Sequence, residues 1–253
     1  MNGSQTLVRA LDIIFALGDA ESMLTVTQIA EKVSIPESTA YRLIQTLEKN
    51  GILERKEKGQ ISLGLRILDL ARSLHYQMDR ELYMIARPFM ERLTEQVQET
   101  TVLAVRVGSS TCVILAIESR RFLRFVVENG RTFPIELGAT GKSILAFEKK
   151  KVVEKILNAI VDKETRKEVN ASIEAIKEHG YAVTLGEVDQ NIFGVAAPIF
   201  DDQGQVVASL TVAGPKERFG DQERAAIIQA TLQTAGDISE KLNGAYSLRL
   251  ERE

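Results

Sequence analysis

Four groups of residues in this sequence have the type or the spacing to carry chemistry. Gly141-Lys142-Ser143 has the ending of a nucleotide phosphate loop, but such a loop needs a glycine five positions before its last one. Glu136 stands there, and its carboxylate would oppose a phosphate. Leu137-Gly138-Ala139-Thr140-Gly141-Lys142 then has two readings. It is a plain strand-to-helix connection, or a helix start whose unpaired N–H groups and positive dipole end hold a carboxylate. Glu187 and Asp189, two apart beside Gly186, offer oxygen ligands, but a divalent cation needs more of them, so no metal site is expected. Cys112 lies in an apolar strand pattern and reads as a small buried hydrophobe, while His75 and His179 have no companion at ligand or general-base spacing. With no Ser/His/Asp or Cys/His set, neither an enzyme nor a cofactor is expected.

The fourth group is the polar face of one helix. Ala40, Leu43, Ile44 and Leu47 fall at i, i+3, i+4 and i+7 and form a stripe to bury. Ser38, Thr39, Arg42, Gln45 and Lys49 fall on the other side, a set of hydrogen-bonding groups poor in carboxylates. Taken alone, that face is a solvated surface. Its neighbours change the reading. Ser4 to Leu17 places Leu7, Leu11 and Ile14 on one helical stripe, and Thr25-Val26-Thr27-Gln28 has the form of a capping box ahead of a short second helix. Ser34-Ile35-Pro36-Glu37 repeats that form ahead of the third, which Asn50-Gly51 stops. Ile52 to Arg55 and Gln60 to Leu63 then alternate like strands around Lys56-Glu57-Lys58-Gly59. Helix, short helix, polar-faced helix and basic hairpin, in that order, describe a winged helix-turn-helix over residues 1–64. Ala30, Ser34, Ala40 and Leu43 take its turn and packing positions, with Ser34 where glycine is common, so a mildly strained backbone is expected there.

The rest of the chain reads as a connector helix (65–80) and an α+β domain (81–253) around an antiparallel sheet. The connector runs through about Asp79, and the next helix, Tyr83 to Val97, is broken or bent near Pro88. Strand patterns cover Thr101 to Val107, Thr111 to Glu118, Arg124 to Glu128, Tyr181 to Leu185, Phe193 to Phe200 and Val206 to Ala213. Helical patterns cover Lys142 to Asn158, Lys163 to His179, and Asp221 to Leu242, the last ending at Asn243-Gly244.

Composition bounds the function further. With 44% apolar and 26% charged residues in 253, the chain belongs with globular proteins, and no apolar run approaches the roughly 20 residues that cross a bilayer. A cytoplasmic protein without a membrane partner is expected. The net charge of −3 argues against nucleic acid only until it is mapped. Between Arg42 and Arg80 there are eight basic residues (Arg42, Lys49, Arg55, Lys56, Lys58, Arg66, Arg72, Arg80) against five acidic ones. That local excess is compatible with DNA and implies modest non-specific affinity.

The segment from Ile35 to Leu47 (IPESTAYRLIQTL) resembles the recognition helix of IclR-family transcriptional regulators. So do Gly138 to Ala146 (GATGKSILA), Gly186-Glu187-Val188-Asp189, Val195 to Asp201 (VAAPIFD) and Leu210 to Pro215 (LTVAGP), in the family's order and over nearly the whole chain. The resemblance implies a homodimer or homotetramer whose winged helices bind a near-palindromic double-stranded operator. Its C-terminal domain would be GAF-like and would bind a small effector, often an organic acid. DNA contacts would come from Thr27, Gln28, Ser38, Thr39, Tyr41, Arg42, Gln45, Arg55, Lys56 and Lys58, and effector contacts from Gly138, Ala139, Thr140, Gly141, Asp189, Gly194, Thr211 and Ala213. Gly194 stands where many members carry a cysteine, and Ala213 where many carry a second serine, which means fewer polar contacts and more room. Two other functions fit parts of the chain. One is an enzyme acting on a small organic acid through Lys142 or the Glu187/Asp189 pair, against which the missing nucleophile and base count. The other is a sensor acting through protein partners without DNA, against which the polar third helix counts.

Overall fold

A computed structural model describes residues 4–20, 22–77 and 80–250, with side chains apart from 72–81 and 245–250. The chain forms two units, Met1–Arg80 and Glu81–Glu253.

In the first unit, α1 (Gln5–Gly18) contributes Ile13 and Leu17 to the core, with Ala10 packed beside them. The expected stripe of Leu7, Leu11 and Ile14 is not the buried one, because only the second half of α1 has a core opposite it; Leu7 is 61% and Leu11 41% exposed. β1 (Leu24–Thr25), unmarked in the sequence, leads into α2 (Val26–Lys32), whose capping box forms as expected: Thr25 Oγ1 accepts from Gln28 N while Gln28 Oε1 accepts from Thr25 N. The turn that follows puts Ser34 at φ 53°, so serine does occupy a left-handed position that suits glycine. For the same reason Ser34 does not cap the next helix: α3 (Glu37–Lys49) starts from Pro36 with no side-chain cap. The wing is β2 (Leu53–Arg55) and β3 (Gln60–Leu63), joined by a tight turn in which Lys58 and Gly59 both have positive φ. These strands and β1 form a sheet of order β1-β3-β2. Ala40, Leu43, Ile44, Leu53 and Ile61 close the small core over Ile29 and Ala30. α4 (Arg66–Gln77) follows; the end of the expected connector at Met78 and Asp79, and the side chain of His75, lie outside the described residues.

From its second residue on, α5 (Arg80–Val97) belongs to the second unit, and it runs unbroken through Pro88. The unit continues with β4 (Thr100–Val107), β5 (Ser110–Ile117), β6 (Thr132–Pro134), α6 (Gly138–Phe147), α7 (Lys150–Ala159) and α8 (Lys163–His179). β7 (Ala182–Leu185), β8 (Ile192–Phe200), β9 (Val206–Pro215) and α9 (Asp221–Leu250) complete it. Six strands pair antiparallel in the order β6-β5-β4-β9-β8-β7. Alternation sorts their side chains into two cores. Phe193, Val195, Ala197, Ile199, Leu210 and Val212 face α5 and α9, while Ala182 and Ala196 face α6 and α8.

Besides the expected break near Pro88, three sequence expectations fail in this unit. Arg124 to Glu128 forms no strand; Thr100 Oγ1 donates to the Phe125 carbonyl at 2.6 Å in place of a ladder. The expected helix from Lys142 to Asn158 begins earlier, at Gly138, and is two helices, broken at Glu148 and Lys149, where Arg106 of β4 engages the Glu148 carboxylate. The last helix passes through Asn243-Gly244 without stopping.

Candidate functional site

The register of the large sheet creates a hollow. Thr184, Gly194, Ala213 and Thr100 lie directly opposite one another across β7, β8, β9 and β4, and Ala182, Ala196, Thr211 and Val102 form the next row. Gly194 and Ala213 have almost no side chain, so the sheet face dips between them. A Cβ on Gly194 would stand 3.3 Å from Thr184 Oγ1 and 3.4 Å from Ala139 Cβ, which shows how closely the start of α6 roofs this dip. The result is a cavity with about 60 Å³ open to the centres of water molecules, lined by Ala139, Thr140, Thr184, Gly194, Thr211 and Ala213. Phe125 and Val127, from the segment expected to be a strand, close it together with Phe133, Leu137, Val188 and Ile192. Leu137, Val188 and Ile192 fall in or beside the motifs singled out above, whereas Phe125, Val127 and Phe133 carry no such mark, since their role depends on how the chain from Arg124 to Pro134 passes the sheet.

The Gly-Ala-Thr-Gly segment is the start of α6. Gly138 takes φ 73°, and a Cβ on it would meet the Val188 side chain at 2.7 Å. Gly141 lies against the backbone of Ile135 so tightly that a Cβ would overlap the Ile135 carbonyl. The first two helix-start donors have partners: Gly138 N–H donates to Glu187 Oε2 at 3.1 Å and Ala139 N–H to Thr184 Oγ1 at 3.1 Å. Lys142, buried, donates to both carboxylate oxygens of Glu187 at 2.7 and 2.8 Å. A resident carboxylate therefore occupies the positive end of this helix. Thr140 and Thr211 share a hydrogen bond of 2.9 Å at the cavity wall. Of the eight expected effector residues, the cavity brings together Ala139, Thr140, Gly194, Thr211 and Ala213; Gly138 and Gly141 shape the helix start, and Asp189 is turned to the Asn191 N–H in an exposed turn. No group of His, Cys, Asp and Glu fit to hold a metal occurs among the described residues. Cys112 is half-buried in β5, where burial raises its thiol pKa.

On the first unit, Ser38, Tyr41, Arg42 and Gln45 are exposed along α3, with Thr39 partly so. Thr27 Oγ1 donates to the Glu37 carboxylate, tying α2 to the start of α3, and the Oε1 of Gln28 is held in its capping box. The expected wing cations differ from one another. Arg55 makes a two-pronged pair with Glu48 of α3, with contacts of 2.9 and 3.3 Å, and lies 5.7 Å from the centre of the Tyr41 ring. Lys56 pairs with Glu54 at 2.6 Å. Lys58, at the tip, has no ion pair among the described residues. Exposed pairs of this kind are each worth about 0.2–1 kcal/mol, so Arg55 and Lys56 can exchange them for phosphates at little cost.

A winged helix on one unit and a partly enclosed cavity on the other define a ligand-responsive DNA-binding regulator. Residues 6–57 match the family model described as the IclR helix-turn-helix domain, and residues 74–240 match that of the bacterial transcriptional regulator IclR C-terminal. The chain belongs to the IclR family of DNA-binding transcriptional regulators. It is 27% identical over 252 residues to the HTH-type transcriptional regulator KipR of Bacillus subtilis, covering 95% of this chain and 98% of KipR. It is 30% identical over 239 residues to the HTH-type transcriptional regulator KdgR of Escherichia coli K12, covering 91% and 89%. Its fold resembles the crystal structure of an IclR homologue from Microbacterium hydrocarbonoxydans complexed with 4-hydroxybenzoate, with a TM-score of 0.76 at 23% identity over 95% of this chain and 100% of that one.

Proposed function

We propose that this regulator reads a near-palindromic operator as a homodimer or homotetramer and that a small molecule in the C-terminal cavity controls that binding. The observation that carries the reading is the hollow over Gly194 and Ala213, roofed by the start of α6 and edged by threonine hydroxyls. α3 would enter the major groove with Ser38, Thr39, Tyr41, Arg42 and Gln45 toward the bases and Thr27 and Gln28 beside the backbone. Arg55, Lys56 and Lys58 would meet phosphates or the minor groove. Ala139, Thr140, Gly194, Thr211 and Ala213 would touch the effector directly. Gly138, Gly141 and Asp189 would shape the walls around it.

Occupancy would select one placement of the paired winged helices, so that only one state matches the half-site spacing. The experiment is to select binding sites for the purified protein from random duplex DNA, then screen small molecules for those that change both thermal stability and retention of the selected duplex. A ligand at 100 times its dissociation constant adds about 2.7 kcal/mol of stability. Compounds that stabilise the protein without altering DNA retention would sink the control reading. No selected sequence at low salt would sink the operator reading and favour a sensor that acts through protein partners.

The Lys142–Glu187 pair bears on the enzyme alternative. Each group is the other's hydrogen-bond partner, and Glu187 is further held by Gly138 N–H. That arrangement supports a structural role at the helix start.

A further inference from the structure

The cavity wall over Gly194 and Ala213 also bears on the charge of what binds there. Among the described residues the wall carries no charged side chain, and its side-chain polar atoms are the hydroxyls of Thr111, Thr140, Thr184 and Thr211. The nearby cation that could meet an acid, Lys142, does not line the cavity and is already bound by both oxygens of Glu187. Glu187 also takes the Gly138 N–H, so the helix end that would attract an anion already holds one. A ligand carboxylate placed under α6 would lose its water without gaining a cation and would sit near a second carboxylate; both effects oppose the ionised form.

The hydroxyls have a different capacity. In the Thr140–Thr211 pair one O–H donates to the other, which leaves one proton of the pair to point elsewhere. Thr184 Oγ1 accepts from Ala139 N–H and keeps its own proton to donate. These groups suit a carbonyl or hydroxyl oxygen. The remaining wall, with Val102, Val113, Phe125 and Phe133 among it, suits an apolar body.

We infer that the effector of this regulator is an uncharged, compact, mainly apolar molecule with one hydroxyl or carbonyl oxygen seated against Thr140 and Thr211. This rests on the cavity being the effector site. The test uses the full chain and pairs of probes on one carbon skeleton at pH 7.5: benzyl alcohol against benzoate, butanol against butyrate, with toluene as the purely apolar member. The neutral member of a pair should bind at least about tenfold more tightly by calorimetry and be the one that changes retention of the selected duplex. Thr211→Val should weaken benzyl alcohol about fivefold while leaving toluene unchanged, the signature of one lost hydrogen bond. Thr140→Val is the second variant should the first fold poorly, and circular dichroism reports folding of both. Carboxylates binding as well as their neutral partners would overturn the charge assignment and leave the effector site standing. Equal weakening of toluene and benzyl alcohol would overturn the hydroxyl contact. No response to any neutral or anionic probe would overturn the effector site itself and this inference with it.

Discussion

Lys142 Nζ and the Glu187 carboxylate hold each other at 2.7 and 2.8 Å beside the first turn of α6, with the Gly138 N–H on the same carboxylate at 3.1 Å. The lysine side chain is 10% exposed and the glutamate side chain 32%, so the pair is neither a free surface bridge nor fully dry. Glu187→Gln keeps an oxygen for Gly138 N–H but leaves the buried ammonium without its counter-charge. Removing one partner of a fully buried pair costs about 3–5 kcal/mol, and partial exposure reduces this to about 1–3 kcal/mol. Adding Lys142→Met should recover most of the loss, because the unpaired charge then disappears. Urea unfolding of wild type, single and double variant checks it; an unchanged midpoint in Glu187→Gln would mean the lysine is fully hydrated.

Two substitutions on the first unit separate reading from anchoring. Arg42 is exposed mid-way along α3 with no ion pair among the described residues, and arginine can bond two acceptors of one guanine. Arg42→Ala should lose about 1–3 kcal/mol of discrimination at one base position. Lys58→Ala, at the wing tip, should weaken selected and random duplexes alike and flatten the dependence of affinity on salt by close to one ion. Fluorescence anisotropy over a salt series on both duplexes distinguishes them, and uniform weakening by Arg42→Ala would remove its base-reading role.

The turn between α2 and α3 holds serine where the backbone asks for glycine, with Ser34 at φ 53°. A residue with a Cβ pays roughly 1 kcal/mol or more in that conformation. Ser34→Gly should therefore raise stability by about 0.5–1 kcal/mol after allowance for glycine's greater freedom when unfolded. A loss of stability in chemical unfolding would mean that the serine hydroxyl makes a bond worth more than the strain.

That position also shows how much of the molecule its sequence makes legible. Features set by a few adjacent residues come through: the Thr25–Gln28 capping box, the Asp201-Gln203-Gly204 hairpin turn, and α8 bounded by its Asp162 cap and the left-handed Gly180. Features set by distant partners do not. The break between α6 and α7 has no glycine or proline to mark it; it coincides with the place where Arg106, 42 residues earlier in the chain, meets Glu148. The unpaired run of Arg124 to Glu128 has strand-like residues, and only the sheet order reveals that β5 pairs with β6 instead of with this run. The cavity was half legible: α6 and strand positions were named from their motifs, whereas Phe125 and Val127 line it through loop placement and Phe133 through the short strand β6, which no sequence pattern marked.

Cys112 tests the burial side of the same domain. Desolvation in β5 raises its thiol pKa, so less thiolate exists at a given pH than on a free cysteine. Alkylation by iodoacetamide at pH 8 should be slow in the folded protein and rise to the free-thiol rate in urea. Because the unfolded chain gives up the proton first, the contribution to stability is complete below the unfolded pKa, near 8.5, and falls as pH rises beyond it. Rapid labelling of the folded protein at neutral pH would place the thiol in water and contradict the burial.

Two glycines in helices should respond to alanine with opposite signs. Gly141 is in the second turn of α6, where its Cα lies against the Ile135 backbone; an added Cβ would overlap the Ile135 carbonyl and stand 2.7 Å from its carbon. Backbone cannot swing aside as a side-chain tip can, so α6 would have to lift from the turn before it, and overpacking of this kind costs about 1–3 kcal/mol or more. Lifting α6 would also move Ala139 and Thr140 away from the cavity. Gly236 is in the interior of α9 with nothing within 4 Å of its Cβ position. There alanine only removes glycine's unfolded-state freedom and should add about 0.5–1 kcal/mol. Thermal melts of the two variants decide the matter. If Gly141→Ala is neutral, the glycine is free and the tight seat of α6 on the Ile135 turn is wrong; if Gly236→Ala is destabilising, that face of α9 is covered by another surface in solution.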